Sequence, residues 1–484
     1  MELVIEQLRE LYSSFNNSDE ITDIVRLPQS GGDRVYFRIF TGKGSYIATF
    51  NSNIKETETF LRFTEHFKNI NCPLPSIYAV NSEKTLYIQE DFGNESLLNK
   101  IEHEGLSENV FNLYKKSLKA LANMQMSGDI GLDYNWCITS KEFGKQAILS
   151  DLLYFKYYFL DTLKIPYDKE RLIDDFEQLS TYLSQASNKG FMFRDFQSRN
   201  IMVRDNEVYF IDYQGGMKGA VQYDVASLLW QAKAELTDEW KNKLLSYYID
   251  CLEEIIKRPI QRGLFINRYH GYVLIRLLQV LGAYGFRGIF ERKAHFLTSI
   301  PLALNNLKWF LTNKKIGLEL PEFERVLALV VADDIITKFV PIHADASTPL
   351  IVKVNSFSYK IGGIPPDSTS NGGGFVFDCR GILNPGRFDE YKAITGRNKP
   401  VIDFLEQRTK MPEFLNSIYN VVDIAVENYI GRKFESLMIS FGCTGGCHRS
   451  VYAAEQLTRH LRNKYGVKVE LHHIEQHIKE KRGF

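Results

Sequence analysis

Aromatic and β-branched residues crowd two early stretches, Val35 to Phe40 and Ser45 to Phe50, and the turn-rich Thr41-Gly42-Lys43-Gly44 between them predicts a β-hairpin. Ahead of it, Met1 to Leu11 interleave Glu and Arg with Leu, Val and Ile, which suits an amphipathic helix. Another helix is predicted from about Lys55 to Lys68, closed by Pro73 and Pro75. A further strand, Thr85 to Gln89, runs into Glu90-Asp91-Phe92-Gly93. From Leu106 onward the apolar residues change to helical spacing, as at Val110, Leu113, Leu118, Leu121 and Met124. The pattern predicts a small sheet-rich lobe followed by a large helical one.

The helical pattern closes with Pro321 to Phe339, and His343-Ala344-Asp345-Ala346-Ser347-Thr348-Pro349 reads as a linker. A fresh strand begins at Leu350-Ile351-Val352-Lys353-Val354, and strands and helices alternate beyond it. The expected organisation is α/β multidomain: a first domain over 1–338 with lobes of about 1–93 and 94–338, a linker at 339–349, and a second domain over 350–484. A chain of 484 residues is too long for one ordinary compact domain, which agrees with that division.

Composition narrows the function classes. Hydrophobic residues at 44% and charged residues at 24% place the chain with globular proteins, and a formal net charge of zero gives no electrostatic footprint of a general nucleic-acid or membrane binder. The cysteines Cys72, Cys137, Cys251, Cys379, Cys443 and Cys447 are scattered, and only the last two lie close together, so reduced thiols in a cytoplasmic protein are expected. The N-terminus lacks the basic-then-apolar layout of a signal peptide. Apolar stretches such as Val326 to Ala332 stop short of membrane-spanning length, so no membrane association is expected.

Candidate chemistry concentrates in Phe191-Met192-Phe193-Arg194-Asp195-Phe196-Gln197-Ser198-Arg199-Asn200 and in Val208-Tyr209-Phe210-Ile211-Asp212-Tyr213-Gln214. An Asp and an Asn stand five apart on a loop, and a second Asp ends a short apolar strand. Phosphoryl transfer needs a carboxylate to accept the proton of the acceptor hydroxyl, and oxygen ligands to hold magnesium against the ATP phosphates. Asp195 is the expected base, with Asn200 and Asp212 on the metal. One Asp by itself is more often a turn or cap residue; the three at this spacing are a far more specific signal.

With Tyr223-Asp224-Val225-Ala226-Ser227-Leu228-Leu229 and Arg34-Val35-Tyr36-Phe37-Arg38, these segments resemble the aminoglycoside-phosphotransferase superfamily, and within it the bacterial N-acetylmuramate/N-acetylglucosamine anomeric kinases. Gln89 to Gly93 falls where that family has its interlobe hinge, which places Glu90 at the nucleotide, and Leu278 to Tyr284 is similar to its late helix. The resemblance spans roughly residues 5 to 335. It implies a bilobal protein-kinase-like fold, ATP, magnesium and a sugar hydroxyl as acceptor, which the most similar members phosphorylate at the anomeric oxygen of amino sugars during cell-wall recycling. Two departures stand out: Phe193 where His usually precedes Arg-Asp, and Ala48-Thr49 where many kinases carry a phosphate-clamping Lys. The phosphates would then fall to the Ser30-Gly31-Gly32 loop, to Arg34 or Arg38, and to magnesium. The alternative is a regulatory protein whose kinase half is an inactive sensor.

A second signal is Ser436 to Cys443 followed by Thr444-Gly445-Gly446-Cys447-His448-Arg449-Ser450 and a helical pattern from Val451 to Lys464. A strand that ends in a glycine-rich loop opening a helix aims backbone N–H groups and the positive helix end at an anion. Arg449 adds a forked donor suited to phosphate. The loop lacks the Gly-Lys-Ser/Thr ending of a nucleotide P-loop. Cys443 and Arg449 also fit a Cys-x5-Arg-Ser phosphatase pattern with Asp378 as acid, a minor alternative, and the Cys443, Cys447, His448 spacing is poor for zinc.

Ser356 to Gly362, Val376 to Arg380, Asn384-Pro385, Thr395-Gly396, Lys399 to Val401 and Gly442 to Gln456 together resemble the C-terminal domain of the RNase adapter RapZ. That resemblance implies an amino-sugar phosphate ligand and small regulatory RNA, with Asp378, Arg380, Thr444, Gly445, Gly446, His448 and Arg449 as candidate phosphosugar ligands. Departures are Gly386-Arg387 where the family has a His, and Cys447 where it has Lys. The basic tail from His472-His473 through His477, Lys479, Lys481 and Arg482 either touches RNA phosphates or is a solvated helix end.

Overall fold

The computed structural model describes residues 2–16, 19–27, 34–291, 294–340, 342–369 and 373–482. Its internal contacts separate two units, Met1–Phe339 and Val340–Phe484. The first opens with α1 (Glu2–Phe15), β1 (Ile21–Arg26), β2 (Val35–Thr41), β3 (Ser45–Phe50), α2 (Ile54–Lys68), β4 (Ile77–Val80) and β5 (Leu86–Glu90). The strands form an antiparallel sheet in the order β1-β2-β3-β5-β4. Leu8 and Tyr12 of α1 pack on Phe37, Ile39, Ala48, Leu86 and Ile88 to give this lobe its own core. Asn53 caps α2 by accepting the Glu56 N–H, and the buried Phe60, Phe63 and Phe67 of that helix join the core of the helical lobe.

The helical lobe runs through α3 (Leu97–Glu104), α4 (Glu108–Met126), α5 (Lys145–Phe155) and α6 (Lys169–Ser184). Two short antiparallel pairs follow, β6 (Lys189–Met192) with β9 (Met217–Ala220), and between them the hairpin of β7 (Ile201–Arg204) and β8 (Glu207–Phe210). They set the loop that carries Asp195 and Asn200 beside the turn that carries Asp212. Next come α7 (Gln222–Leu229), α8 (Asp238–Ile256), α9 (Arg262–Tyr284), α10 (Ala294–Leu297), α11 (Ile300–Asn313), α12 (Pro321–Val330) and α13 (Asp333–Thr337). The single helical stretch expected over Pro321 to Phe339 is broken, because Ala332 adopts an extended backbone with ψ 146°. The expectation that apolar stretches stop short of membrane-spanning length is corrected in one place. The span Arg262–Phe290 does have the length and apolarity of a membrane-crossing helix. Its Tyr272, Val273, Leu278 and Leu281 are buried in the helical-lobe core, so the apolar surface is used within the fold.

The second unit is a mixed sheet in the order β11-β12-β10-β13-β14, built from β10 (Ile351–Ser358), β11 (Gly374–Asp378), β12 (Ser436–Cys443), β13 (Lys468–His473) and β14 (Ile478–Arg482). Only the β13–β14 pair is antiparallel. Helices α14 (Lys399–Gln407), α15 (Met411–Gly431) and α16 (Arg449–Tyr465) complete it, with Val352, Val354, Ile439, Phe441, Leu457 and Leu461 in the core. The tail read as a solvated helix end is instead an edge strand. His477 turns the chain through the left-handed region at φ 54°, and His473 is fully buried against Ser356 with Nδ1 2.8 Å from the hydroxyl. A charge-rich edge strand of this kind resists pairing with other chains.

Candidate active site and candidate anion site

The catalytic-loop geometry starts from a buried carboxylate. Asp224 on α7 is fully buried and accepts the backbone N–H groups of Phe193 (2.8 Å) and Arg194 (3.0 Å), with Gln125 Nε2 at 2.9 Å. Burial pushes its carboxyl up to about 7, against the lowering effect of those bonds. Arg194 sits in the left-handed region at φ 79° and fans its guanidinium onto Asp151 (2.7 Å) and the Tyr223 hydroxyl (2.7 Å). Phe193, which stands where related motifs have His, is buried against the Phe196 and Phe210 rings. The loop is therefore held by backbone bonds to Asp224 and by aromatic packing.

Asp195 follows with its side chain 48% exposed and Arg276 Nη2 at 3.1 Å from its Oδ1. Desolvation raises its carboxyl, but Arg276, Arg194 and Arg199 outweigh that and hold it below the ordinary carboxylate range. It is ionised at neutral pH, as a general base must be. Asn200 donates Nδ2 to the Asp195 carbonyl at 2.9 Å, which leaves its side-chain oxygen without a protein donor among the described residues. Asp212 has φ 70°, and its Oδ1 accepts from Arg34 Nη2 (2.5 Å) and Gln214 Nε2 (2.8 Å).

Asn200 and Asp212 line one cavity of about 380 Å³ between the small-lobe sheet and the helical lobe, with Ile47, Met202 and Ile211 as apolar walls. The residues present fit a nucleotide and its metal. Gln89 lines the cavity with a buried Oε1 that has no partner, ready to accept from a base. Among the described residues there is no cluster of three His, Cys, Asp or Glu side chains. A divalent ion here would rest on the oxygens of Asn200 and Asp212, with phosphate and water completing its shell, as magnesium prefers.

The other expected nucleotide contacts divide. Ser30, Gly31 and Gly32 lie outside the described residues. Arg34 pairs with Glu56 of α2 (3.3 Å) as well as with Asp212. Arg38 is engaged within the lobe by Asp91 (2.7 Å), Asn94 (2.5 Å) and the Gly93 carbonyl (3.0 Å). Glu90 spends its carboxylate on Arg204 (2.8 Å) and the Ser76 N–H (3.3 Å), leaving its backbone to the cavity wall. Sequence reasoning missed Arg276, Glu56 and the anchoring role of Asp224. A lone Arg inside the apolar run Val273 to Leu278 was the available signal for the first.

In the second unit, β12 ends at Cys443 and α16 begins at Arg449, with Gly446 in the left-handed region at φ 69° between them. A Cβ at Gly446 would meet Glu475 Cγ at 2.3 Å, so the turn requires glycine twice over. Arg449 is only 4% exposed. Its Nη1 donates to the carbonyls of Arg380 (3.1 Å) and Ile382 (2.7 Å), its Nη2 to Thr444 Oγ1 (3.3 Å), and its Nε has no partner. The cation is buried with one N–H unpaired among the described residues, which is the chemistry of an anion-receiving site.

Arg449 lines a polar cavity of about 400 Å³ with Thr444, Asn384, Arg380 and Arg387. Arg387, at one of the positions that depart from the RapZ pattern, thus joins the site by geometry. Asp378 forks onto Arg380, with Arg380 Nη2 2.6 Å from Asp378 Oδ2, and the Arg380 guanidinium lies 4.0 Å over the Tyr359 ring. His448 is turned to the Tyr391 carbonyl at 2.9 Å. Asp378, Gly445, Gly446 and His448, expected at the site, are not among the residues that line this cavity. Cys443 is 3% exposed, its sulfur receiving the Gly446 N–H at 3.2 Å and lying 3.1 Å from Ser450 Oγ. A phosphatase nucleophile has to face its substrate, and this sulfur is enclosed.

Comparison with known proteins agrees with this division. Residues 23–255 match the phosphotransferase enzyme family, and residues 350–477 match the RapZ C-terminal domain. A nucleotide-binding protein of Glaesserella parasuis is 36% identical over 140 residues, 28% of this chain and 46% of that protein. One of Fervidobacterium nodosum is 38% identical over 126 residues, 26% of this chain and 43% of that protein. The chain spans less than half the length of these curated relatives. Among solved structures, a choline/ethanolamine kinase family protein from Mesorhizobium loti is 12% identical with a TM-score of 0.44, covering 68% of this chain and 99% of that one. A streptomycin-ATP-aminoglycoside phosphotransferase ternary complex is 16% identical with a TM-score of 0.40, covering 64% and 96%. One polypeptide thus joins a segment similar to the phosphotransferase enzyme family to a segment similar to the RapZ C-terminal domain.

Proposed function

We propose that the first unit is an ATP- and magnesium-dependent phosphotransferase acting on a sugar hydroxyl, with an amino sugar such as N-acetylmuramate or N-acetylglucosamine, at its anomeric oxygen, as the acceptor. The supporting observation is that Asn200 and Asp212 line one cavity while Asn200 also bonds the backbone carbonyl of Asp195, five residues before it on the same loop. In this reading the Asp195 carboxylate takes the acceptor hydroxyl proton as the new oxygen–phosphorus bond forms and the bond to ADP breaks. Asn200 and Asp212 hold the divalent ion, which supplies charge neutralisation at the phosphates. Arg34 lies beside them to meet phosphate oxygens.

The second unit is proposed to bind a phosphosugar at Arg449, Arg387, Arg380 and Thr444, as product or neighbouring metabolite of the same chemistry. Asp195→Asn tests both halves. Turnover of magnesium-ATP with the amino-sugar panel should vanish, with phosphate position read by NMR in the unaltered protein, while phosphosugar binding by the second unit survives. If the unaltered protein consumes no ATP with any sugar tried, the sensor reading replaces the enzyme.

A further inference from the structure

We propose, resting on the phosphotransferase reading of the first unit, that Asp151 is a positioning residue: it holds the Arg194 guanidinium off Asp195 and so leaves the base an open carboxylate oxygen. Two arginines stand close to that base. Arg276 takes Oδ1 of Asp195 at 3.1 Å, while Oδ2 has no partner among the described residues and is the oxygen left for an acceptor hydroxyl. Arg194 directly precedes Asp195 in the chain. A guanidinium forks readily onto a carboxylate, so a freed Arg194 would cover the open oxygen and make Asp195 a poor proton acceptor.

The structure draws Arg194 the other way. Its Nη2 donates to Asp151 Oδ1 at 2.7 Å and its Nη1 to the Tyr223 hydroxyl at 2.7 Å, and the guanidinium lies 4.6 Å from the centre of the Phe143 ring and 5.1 Å from that of Tyr223. The same Tyr223 hydroxyl accepts from Arg276 Nη1 at 3.4 Å, so a single hydroxyl stands between the two guanidiniums. The charges are thereby matched one to one, Asp151 with Arg194 and Asp195 with Arg276. Asp151, on α5, spends only Oδ1 in this arrangement, and its Oδ2 is buried with no partner. A buried charged oxygen without a donor is costly, so stability by itself does not account for a carboxylate at this position. Its use is toward Arg194, and through Arg194 toward the base.

The test compares Asp151→Asn, Asp151→Glu, Arg194→Gln and the double variant Asp151→Asn/Arg194→Gln in the full chain. With magnesium-ATP and N-acetylmuramate, Asp151→Asn should lower kcat about 10- to 100-fold, the range for a hydrogen bond to a charged group, with KM for either substrate within about twofold. Asp151→Glu, which can still hold the guanidinium, should restore most of the rate. Adding Asp151→Asn to Arg194→Gln should cost nothing further, because the cation to be held is gone. A crystal structure of Asp151→Asn should show the Arg194 guanidinium on Asp195, a readout that needs no turnover. An unchanged kcat in Asp151→Asn, an equal loss in Asp151→Glu, losses that multiply in the double variant, or Arg194 still beside position 151 each overturn the proposal. An Asp151→Asn chain that does not fold assigns the pair to stability and overturns it as well. Absence of turnover in the unaltered protein sinks the phosphotransferase reading instead, and the crystal position of Arg194 still decides whether Asp151 holds it away from Asp195.

Discussion

At the scale of single residues, the site is a set of charges balanced against burial. Arg276 touches Asp195 and is itself 4% exposed, its Nη1 also bonded to Gln279 at 2.9 Å. In the proposed reaction it is a positioning residue for Asp195. Arg276→Met should lower kcat by about 10- to 100-fold, the range for a hydrogen bond to a charged group, while magnesium-ATP affinity holds. The acid limb of the rate profile should also move upward, because one of the charges opposing desolvation of Asp195 is gone. Asp224 behaves in the opposite sense. Its carboxyl lies at about 7 in the fold against an ordinary 3.8, so the folded chain keeps a proton that the unfolded chain releases. Its contribution to stability is complete below the ordinary value and is lost as pH rises toward 7. Asp224→Asn cannot ionise, so urea midpoints at about pH 4.5 and 7.5 should shift in the variant's favour at the higher pH relative to the unaltered protein. A parallel pair of profiles would show that Asp224 does not titrate in this window.

At the scale of elements, two helices that hold the catalytic charges continue into π-helical turns, Lys156–Leu160 after α5 and Gly285–Phe290 after α9. Such turns recur at functional sites because the extra residue re-aims side chains. Here they bring Tyr158 and Phe286 together with ring centroids 4.9 Å apart, edge to face, and Tyr154 and Tyr158 at 4.8 Å. The approach depends on glycine: a Cβ on Gly285 would lie 2.2 Å from the Tyr158 carbonyl oxygen, and one on Gly282 3.1 Å from Phe155 backbone. Since backbone obstructs Gly285, the neighbour cannot rotate away. Gly285→Ala should cost about 1–3 kcal/mol, read as a lower denaturation midpoint, with turnover reduced because α9 also carries Arg276. A variant as stable as the parent would mean that the two turns separate freely.

For the whole molecule, each unit owns a hydrophobic core, one around α4, α7 and α9 and the other on the mixed sheet. Ligands should therefore stabilise them separately. Calorimetry should resolve two transitions, with magnesium-ATP raising one and a phosphosugar the other, by about 2.7 kcal/mol at a hundredfold excess over Kd. A single transition raised by either ligand would show that the two units unfold as one.

The chain's own pattern determined a good deal: the hairpin of β2 and β3, α2, the oxygen-bearing set at 195, 200 and 212, and the glycine loop before α16. These are local signals, carried by periodicity, turn chemistry and spacing within a few residues. Tertiary structure decided what distance along the sequence concealed. Arg276 reaches Asp195 across 81 positions, Arg34 reaches Asp212 across 178, and Arg380 and Arg449 meet at one cavity beyond the C-terminal ends of the neighbouring parallel strands β11 and β12, far apart in sequence. The tail's fate as β14 was likewise settled by an available sheet edge at β13. Pairings of this kind have no short-range signature, because a charge or a strand finds its partner only when packing brings the two together.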